Sequence, residues 1–520
     1  MSLGRTLLVA VLIVGAAYAA TWLWRSQDKP DNALAGAECW FPKPALRSAE
    51  CYRFTVPESR ETASNRTVRF PVVILRSPST PAEEPPVLHL MGGPGQPAGI
   101  ATAADINAWG RVLDRADWAR DRDHILVDTR GIGPLASPHL RCAMLSDVRL
   151  ALTLDRLESD PAARDAAIER TVGACRDALL KAGVDLAAYD TEATALDLIA
   201  LRGALGVPRW TVYGISYGSR LALELMRRDA AGTHAAILDS LVPPNVPALA
   251  AAPANLQRAL TLLYADCEAD PACAGAYPFL QRDLERTVLA FRARPIALTL
   301  TDPDRKGRQL TVTVDDGVYL QVIEYGLMVS EWLPFLPGIV NDTAKGGTVL
   351  FSHLAAQLMF DAYADGDANA LLLSALCREE LPFNSPQAFA RARDTHPLLR
   401  HFDLEAPVRA QCAAWPAGVA PKGFREPVKS DVPTLLVNGA YDTRTPPTYA
   451  ERQLVHMSNA FRVVLRARGH APSATSACAQ AAMAAFLDSP RQPEPPTCLH
   501  FQRPPRFMTR GGEADRIRRL

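Results

Sequence analysis

The chain has 520 residues, enough to bury a large core and to hold more than one structural unit. Acidic and basic residues balance at 56 each, which excludes the one-signed charge expected of a protein built for nucleic acid or a polyanionic substrate. The apolar fraction, 48%, is that of an ordinary globular protein.

At the N-terminus Arg5 precedes an uncharged run, residues 6–24, that closes at Arg25. Ala17-Tyr18-Ala19 has the spacing of an export cleavage site, so residues 1–25 read as a secretory signal. The other reading of the same run is an uncleaved anchor in the inner membrane, since it is just long enough to span a bilayer. Both readings make the protein exported, either periplasmic or secreted. Ten cysteines fit an oxidising compartment. Their number is even and no two form a C-x-x-C pair, which argues against zinc. The simplest pairing is sequential: Cys39–Cys51, Cys142–Cys175, Cys267–Cys273, Cys377–Cys412 and Cys478–Cys498.

Residues 26–50 form a polar lead-in, and residues 51–56 and 68–76 are predicted strands rich in β-branched and aromatic side chains. A short apolar strand over 87–91 runs into Gly92-Gly93-Pro94-Gly95-Gln96-Pro97, which can continue neither regular structure. A helix over 109–119 and a strand over 124–128 follow, the strand ending in the sequence DTRGIG. Helical spacing then covers about 147–180 and 193–205, with Leu196, Ile199 and Ala200 on one face. Short apolar runs at 210–213 and 235–239 flank a helical segment over 219–228. This alternation predicts an α/β fold with a doubly wound, mostly parallel sheet.

The rhythm breaks at Pro243-Pro244 and is mainly helical to about 428, with a hairpin-like interruption over 296–314. Strands return at 434–437 and 461–465, and a last helix covers 475–487 with Thr475 or Ser476 as its N-cap. The expected organisation is a core in two parts, residues 40–244 and 429–498, with a helical cap over 245–428 between them. Residues 499–520, rich in Pro and Arg, read as a solvated, mobile tail.

The chemistry concentrates at Gly214-Ile215-Ser216-Tyr217-Gly218, set between a predicted strand and helix. Glycines two before and two after a serine allow a sharp turn that lifts the hydroxyl above a sheet, with the Tyr217 N–H at a helix N-terminus. A serine needs a base, and the base needs an orienting acid. His470 sits in Arg468-Gly469-His470-Ala471-Pro472 just after a strand, whereas His353, His396 and His401 fall in the cap and read as packing or surface residues. Asp442, in the segment NGAYDTRTPP, is the expected acid, with Asp239 after the preceding strand as its rival. Gly93 and Tyr217 are the expected oxyanion donors. Neither a metal nor an organic cofactor is called for, and no nucleotide-binding pattern follows the glycine-rich loop.

These pieces together resemble the proline iminopeptidase and tripeptidyl aminopeptidase branch of the α/β-hydrolases. The motifs are GGPGQP (92–97), DTRGIG (128–133), YDTEATALDLIALRGALG (189–206), YGISYGS (213–219), ILDSLVPP (237–244), DCEADPACAGAYP (266–278), CREELPF (377–383), CAAWP (412–416), NGAYDTRTPP (438–447) and RGHA (468–471). The cysteine-rich cap motifs are similar to exported tripeptidyl aminopeptidase-like members. The resemblance implies an α/β-hydrolase with an inserted, mainly helical cap, acting as a serine exopeptidase on peptides with a free N-terminus. It also implies that cap carboxylates hold the substrate ammonium, which nominates Glu379 and Glu380; relatives often carry Asp at the second position. The alternative for these two is pairing with nearby arginines. Met91 and Ser219 also depart from the common pattern, without removing a catalytic group. Asp128 and Arg130 are expected to brace the oxyanion loop. Two other functions remain open from the sequence: a carboxylesterase using the same triad, and an envelope protein that kept the fold without turnover. An epoxide hydrolase would need Asp at position 216.

Overall fold

The computed structural model describes residues 33–509 apart from 63, 80–81, 83, 144, 146–160, 304–306, 362–367 and 403. The signal or anchor expected over residues 1–25 lies outside the described residues, as does part of the helix expected from 147. Among the described residues no helix is long and apolar enough to cross a membrane.

Among the described residues nine strands form one sheet: β1 (Ala33–Ala37), β2 (Ala49–Pro57), β3 (Thr67–Leu75), β4 (Val87–Leu90), β5 (His124–Val127), β6 (Trp210–Ile215), β7 (Thr233–Asp239), β10 (Thr434–Gly439) and β11 (Ala460–Leu465). Their order is β1-β2-β3-β5-β4-β6-β7-β10-β11. The first three pair antiparallel and the rest run parallel from β5 to β11. β4 and β5 are buried along their whole length, as strands covered on both faces must be. β1 lies inside the expected polar lead-in. Its Ala-Leu-Ala-Gly-Ala sequence carries little strand signal, and it is held by pairing with β2.

Helices α1 (Ala103–Arg115), α2 (Pro161–Lys181), α3 (Thr191–Ala204) and α4 (Tyr217–Arg228) flank the first part of the sheet. α1 starts in a capping box between Thr102 and Asp105. The segment between β7 and β10 carries α5 (Ala248–Ala269), α6 (Pro271–Ala276), α7 (Leu280–Ala293) and the antiparallel hairpin of β8 (Ile296–Thr301) and β9 (Gln309–Val314). It continues through α8 (Asp316–Met328), α9 (Leu336–Ala344), α10 (Val349–Asp361), α11 (Asn369–Ala375), α12 (Pro386–Thr395) and α13 (Glu405–Ala413). α14 (Pro447–Leu454) and α15 (Ala477–Asp488) close the sheet, and Ser476 caps α15.

The inserted segment does not have one core. Residues from Leu256 to Met359 bury their own apolar cluster, whereas Ala368, Leu371, Leu373, Cys377, Ala414 and Trp415 pack into the core beneath the sheet with α2, α3 and α4. The expected disulfides form in the sequential pattern, and no cysteine is free.

The tail differs from expectation over the part described. Gln502 donates to the Val464 carbonyl at 2.9 Å and accepts from the Arg466 N–H at 2.7 Å. Farther on, the Met508 N–H donates to the Pro334 carbonyl at 2.9 Å, and Phe507 is buried in the cluster of the inserted helices. Gln502, Phe507 and Met508 therefore tie β11 to the inserted lobe, while Phe501, Arg503, Pro504 and Arg506 are exposed as expected. The composition suggested mobility because one buried aromatic among prolines and arginines leaves no periodic signal.

Candidate active site

Ser216 sits between β6 and α4 with φ 55° and ψ −122°, a left-handed backbone that costs a non-glycine residue about 1–3 kcal/mol. Its neighbours explain how the turn closes. A Cβ on Gly214 would come 2.4 Å from the Gly218 carbonyl oxygen, and one on Gly218 would come 2.1 Å from that of Leu90. Only glycine fits at either place. The Ser216 N–H donates to the Asp239 carbonyl at 2.9 Å, fixing the turn to the end of β7. Tyr217 is the first residue of α4, so its N–H has no partner within the helix.

The loop after β4 lies against this turn: a Cβ on Gly92 would stand 3.2 Å from Ser216 Cβ. Gly93 has φ +105° and precedes a cis Pro94. Asp128, at the end of β5, accepts the Ala98 N–H at 2.6 Å and so braces the far side of the loop. Burial raises its carboxyl to about 7. Arg130 does something else. It makes a bidentate pair with Asp197 of α3, both contacts at 2.7 Å, and donates to the carbonyls of Glu58 and Ala188. It fixes α3 and not the oxyanion loop.

The structure brings His470 and Asp442 together from loops after β11 and β10. His470 Nδ1 lies 2.8 Å from Asp442 Oδ2. Asp442 also accepts the Arg444 and Thr445 N–H groups at 3.0 and 2.9 Å and the Thr445 hydroxyl at 2.6 Å. Thr445 Oγ1 approaches His470 Nδ1 at 3.2 Å, but its proton is committed to Asp442, so Nδ1 carries the imidazole proton and Nε2 is left as the basic nitrogen. Burial works against charge on both groups. For Asp442 the imidazole's charge and the hydrogen bonds outweigh it and hold the carboxyl well below the usual range. For His470 the Asp442 carboxylate outweighs it and raises the imidazole above its ordinary value.

Asp239, the rival acid, is fully buried at the end of β7 and bonds Ser240 and Ser473, not His470.

Glu379 and Glu380 lie on a π-helical turn, Leu376–Glu380, closed by a bond from the Leu381 N–H to the Leu376 carbonyl. Glu379 is buried and accepts the Thr191 N–H and hydroxyl, each at 2.7 Å. The Thr191 proton being used there, the Tyr217 hydroxyl donates to Thr191 Oγ1 at 2.6 Å, which links the carboxylate to the residue after Ser216. Burial raises Glu379 to about 7, against the opposing pull of Arg220. Glu380 pairs with Arg220 and, at 3.6 Å, with Arg425 through Oε1, while its buried Oε2 has no hydrogen-bond partner.

Several residues that shape the site carry no local signal in the sequence: Thr191, Arg220, Arg258, Glu324 and Arg425 act across 26 to more than 180 residues of chain. Only Thr191 sits beside a readable one, the Asp190 cap of α3.

A family model described as TAP-like protein matches residues 402–498, the stretch that carries both Asp442 and His470. Over 462 residues the chain is 24% identical to serine protease Hip1 of Mycobacterium tuberculosis and of Mycobacterium bovis, covering 84% of this chain and 85% of the relative. Among solved structures it is similar to proline iminopeptidase from Mycobacterium smegmatis, at 15% identity and TM-score 0.34, over 84% of this chain and 98% of that one. A serine hydrolase from Cycloclasticus zankles is similar at 13% identity and TM-score 0.33, over 88% and 98%.

Proposed function

Because the chain is an α/β-hydrolase of the TAP-like type and a serine hydrolase by its relatives, we propose that it is an exported aminopeptidase that cleaves residues from free peptide N-termini through an acyl-enzyme. In this reading His470 Nε2 takes the Ser216 proton as Oγ attacks the scissile carbonyl, and Asp442 orients and stabilises the imidazolium. The N–H groups of Gly93 and Tyr217 receive the oxyanion. The imidazolium gives its proton to the leaving amine, and water then releases the acyl group by the same route in reverse. Five disulfides support export.

The observation that carries the aminopeptidase reading is the buried Glu379, joined to the Ser216 turn through Thr191 and Tyr217, with the half-buried Glu380 beside it. A carboxylate whose ionisation is opposed by burial, and a second with an unpartnered oxygen, both gain from an arriving ammonium. A blocked peptide leaves them uncompensated. One observation favours a carboxylesterase instead: Glu380 is already paired with Arg220 and Arg425, which lowers the demand for a substrate cation. Arylamides of single residues and of tripeptides, with free and blocked N-termini, separate the two when assayed beside short acyl esters and a Ser216→Ala control. Ser216-dependent cleavage confined to free amines supports the peptidase; ester turnover indifferent to the amine overturns it.

A further inference from the structure

The loop that carries His470 is held on the C-terminal side of the histidine by the end of β7. Asp239 Oδ2 accepts the Ser473 N–H at 2.9 Å and also the Ser473 hydroxyl. Its other oxygen accepts the Ser240 hydroxyl at 3.0 Å, and Ser240 Oγ in turn accepts the Ala471 N–H at 2.8 Å. Since the Ser473 proton is directed at Asp239, the Tyr213 hydroxyl of β6 donates to Ser473 Oγ at 2.6 Å. Ser240 and Ala471, joined by one of these bonds, both have left-handed backbones, with φ of 56° and 55°. Two non-glycine residues in that region next to a candidate base are backbone strain kept by surrounding bonds.

We propose that Asp239 is a positioning residue for His470: with Ser240 and Ser473 it fixes the backbone on the C-terminal side of the histidine, and its carboxylate adds to that of Asp442 in favouring the imidazolium. The inference rests on the hydrolase reading of Ser216 and His470 given above.

Charged groups from two elements face the imidazole. Asp442 and Arg444 come from the loop after β10, and Asp239 comes from β7. At the end of α8 and the residues after it the loop donates hydrogen bonds to the Met328 carbonyl and the Ser330 hydroxyl, both uncharged, while Glu324 of α8 bonds Thr443 and Arg444. Burial raises the Asp239 carboxyl to about 6; among the described residues it receives three donors and no cation, so once ionised its opposite charge is the imidazolium. Losing that charge lowers the histidine's affinity for a proton.

The test uses the full mature protein and an alkyl fluorophosphonate, whose rate of attachment to Ser216 reports the activated serine without assuming a substrate. Rates are followed from pH 5 to 9. For Asp239→Asn, labelling at pH 7.5 should be slower by about tenfold, and the acid limb should move to lower pH by about half a unit. Ser240→Ala keeps the carboxylate and removes the acceptor for Ala471, so labelling should slow by about threefold or more with the limb in place. A purely structural Asp239 would lower the melting temperature and leave rate and limb as in the wild type, and that result overturns the inference. Wild-type behaviour of Ser240→Ala overturns it equally, which covers the case of an Asp239→Asn protein that does not fold. Failure of the wild-type protein to label at Ser216 would be different: it would contradict the hydrolase reading itself, and the inference with it.

Discussion

The Arg258 guanidinium donates to the main-chain carbonyl of Asp442 at 2.6 Å and to that of Ala440 at the same distance. Arg258 lies on α5, in the inserted segment, and Asp442 lies in the loop after β10. The inserted segment therefore grips the loop that carries the proposed acid. It grips the histidine as well, through the His470 N–H on the Met328 carbonyl at 2.8 Å. It also reaches the oxyanion loop, where the Ala368 N–H donates to the Gly95 carbonyl at 2.9 Å. The inserted segment thus holds the three loops that carry the candidate acid, base and oxyanion donor.

Replacing Arg258 tests this directly. Arg258→Ala is expected to lower kcat by about tenfold to a hundredfold with little change in KM, because a displacement near 1 Å of a catalytic group costs on that order. Steady-state kinetics beside a thermal melt check it. A stable variant with wild-type kcat would mean that the sheet alone sets the acid.

The His470–Asp442 pair fixes a pH dependence. Turnover needs a neutral imidazole, and its proton affinity is raised, so kcat should fall on acidification through a value above the ordinary histidine value of about 6.5. Asp442→Asn should cost about 10⁴-fold in kcat. Stability follows the same shifts with opposite signs. The raised histidine stabilises the fold below about 6.5 and loses this as pH rises through its folded value; the lowered aspartate stabilises above about 3.9 and loses this as pH falls. Their joint contribution is greatest between about 4 and 6.5, and denaturant unfolding of wild type and Asp442→Asn across that window measures it.

Glu379 runs the other way. Its carboxyl is raised to about 7 by burial, so its ionisation costs stability as pH rises through that value. Glu379→Gln should remove this slope and leave a protein at least as stable at pH 8. The same variant should raise KM for free-amine substrates by about tenfold or more while sparing esters, since the lost charge meets only the ammonium. Equal effects on amine and ester substrates would contradict an ammonium site.

What could be read from the sequence was what is local. Gly214, Ser216 and Gly218 declare a turn because steric demands at three neighbouring residues leave little choice. His470 and Asp442 were legible because each follows an apolar strand and precedes a turn. The disulfides pair neighbours in sequence. The contacts that join these pieces were not legible: Thr191 on Glu379, Arg220 on Glu380 and Arg258 on Asp442 depend on how the inserted segment divides between two cores, which no short-range pattern encodes. Glu379 shows the limit well. Its neighbours in sequence suggested an arginine partner, and the fold supplied a threonine.

The Cys377–Cys412 disulfide anchors the π-helical turn of both glutamates to α13 across a separation of 35 residues. Replacing both cysteines with serine is expected to cost about 3–4 kcal/mol by the loop-entropy relation. The loosened turn should raise KM for free-amine substrates more than for esters. Urea unfolding and the paired assays together check this; a destabilised protein with unchanged discrimination would separate the bridge from the site.

The most direct measurement uses two diphenyl phosphonates of one amino acid, one with a free α-amine and one N-acetylated, followed by mass spectrometry of the peptide containing Ser216. An adduct is expected on Ser216, forming at least about tenfold faster with the free amine and not at all in Ser216→Ala. Equal or faster reaction of the acetylated form would contradict the aminopeptidase, and an adduct elsewhere or none would contradict Ser216 as the nucleophile.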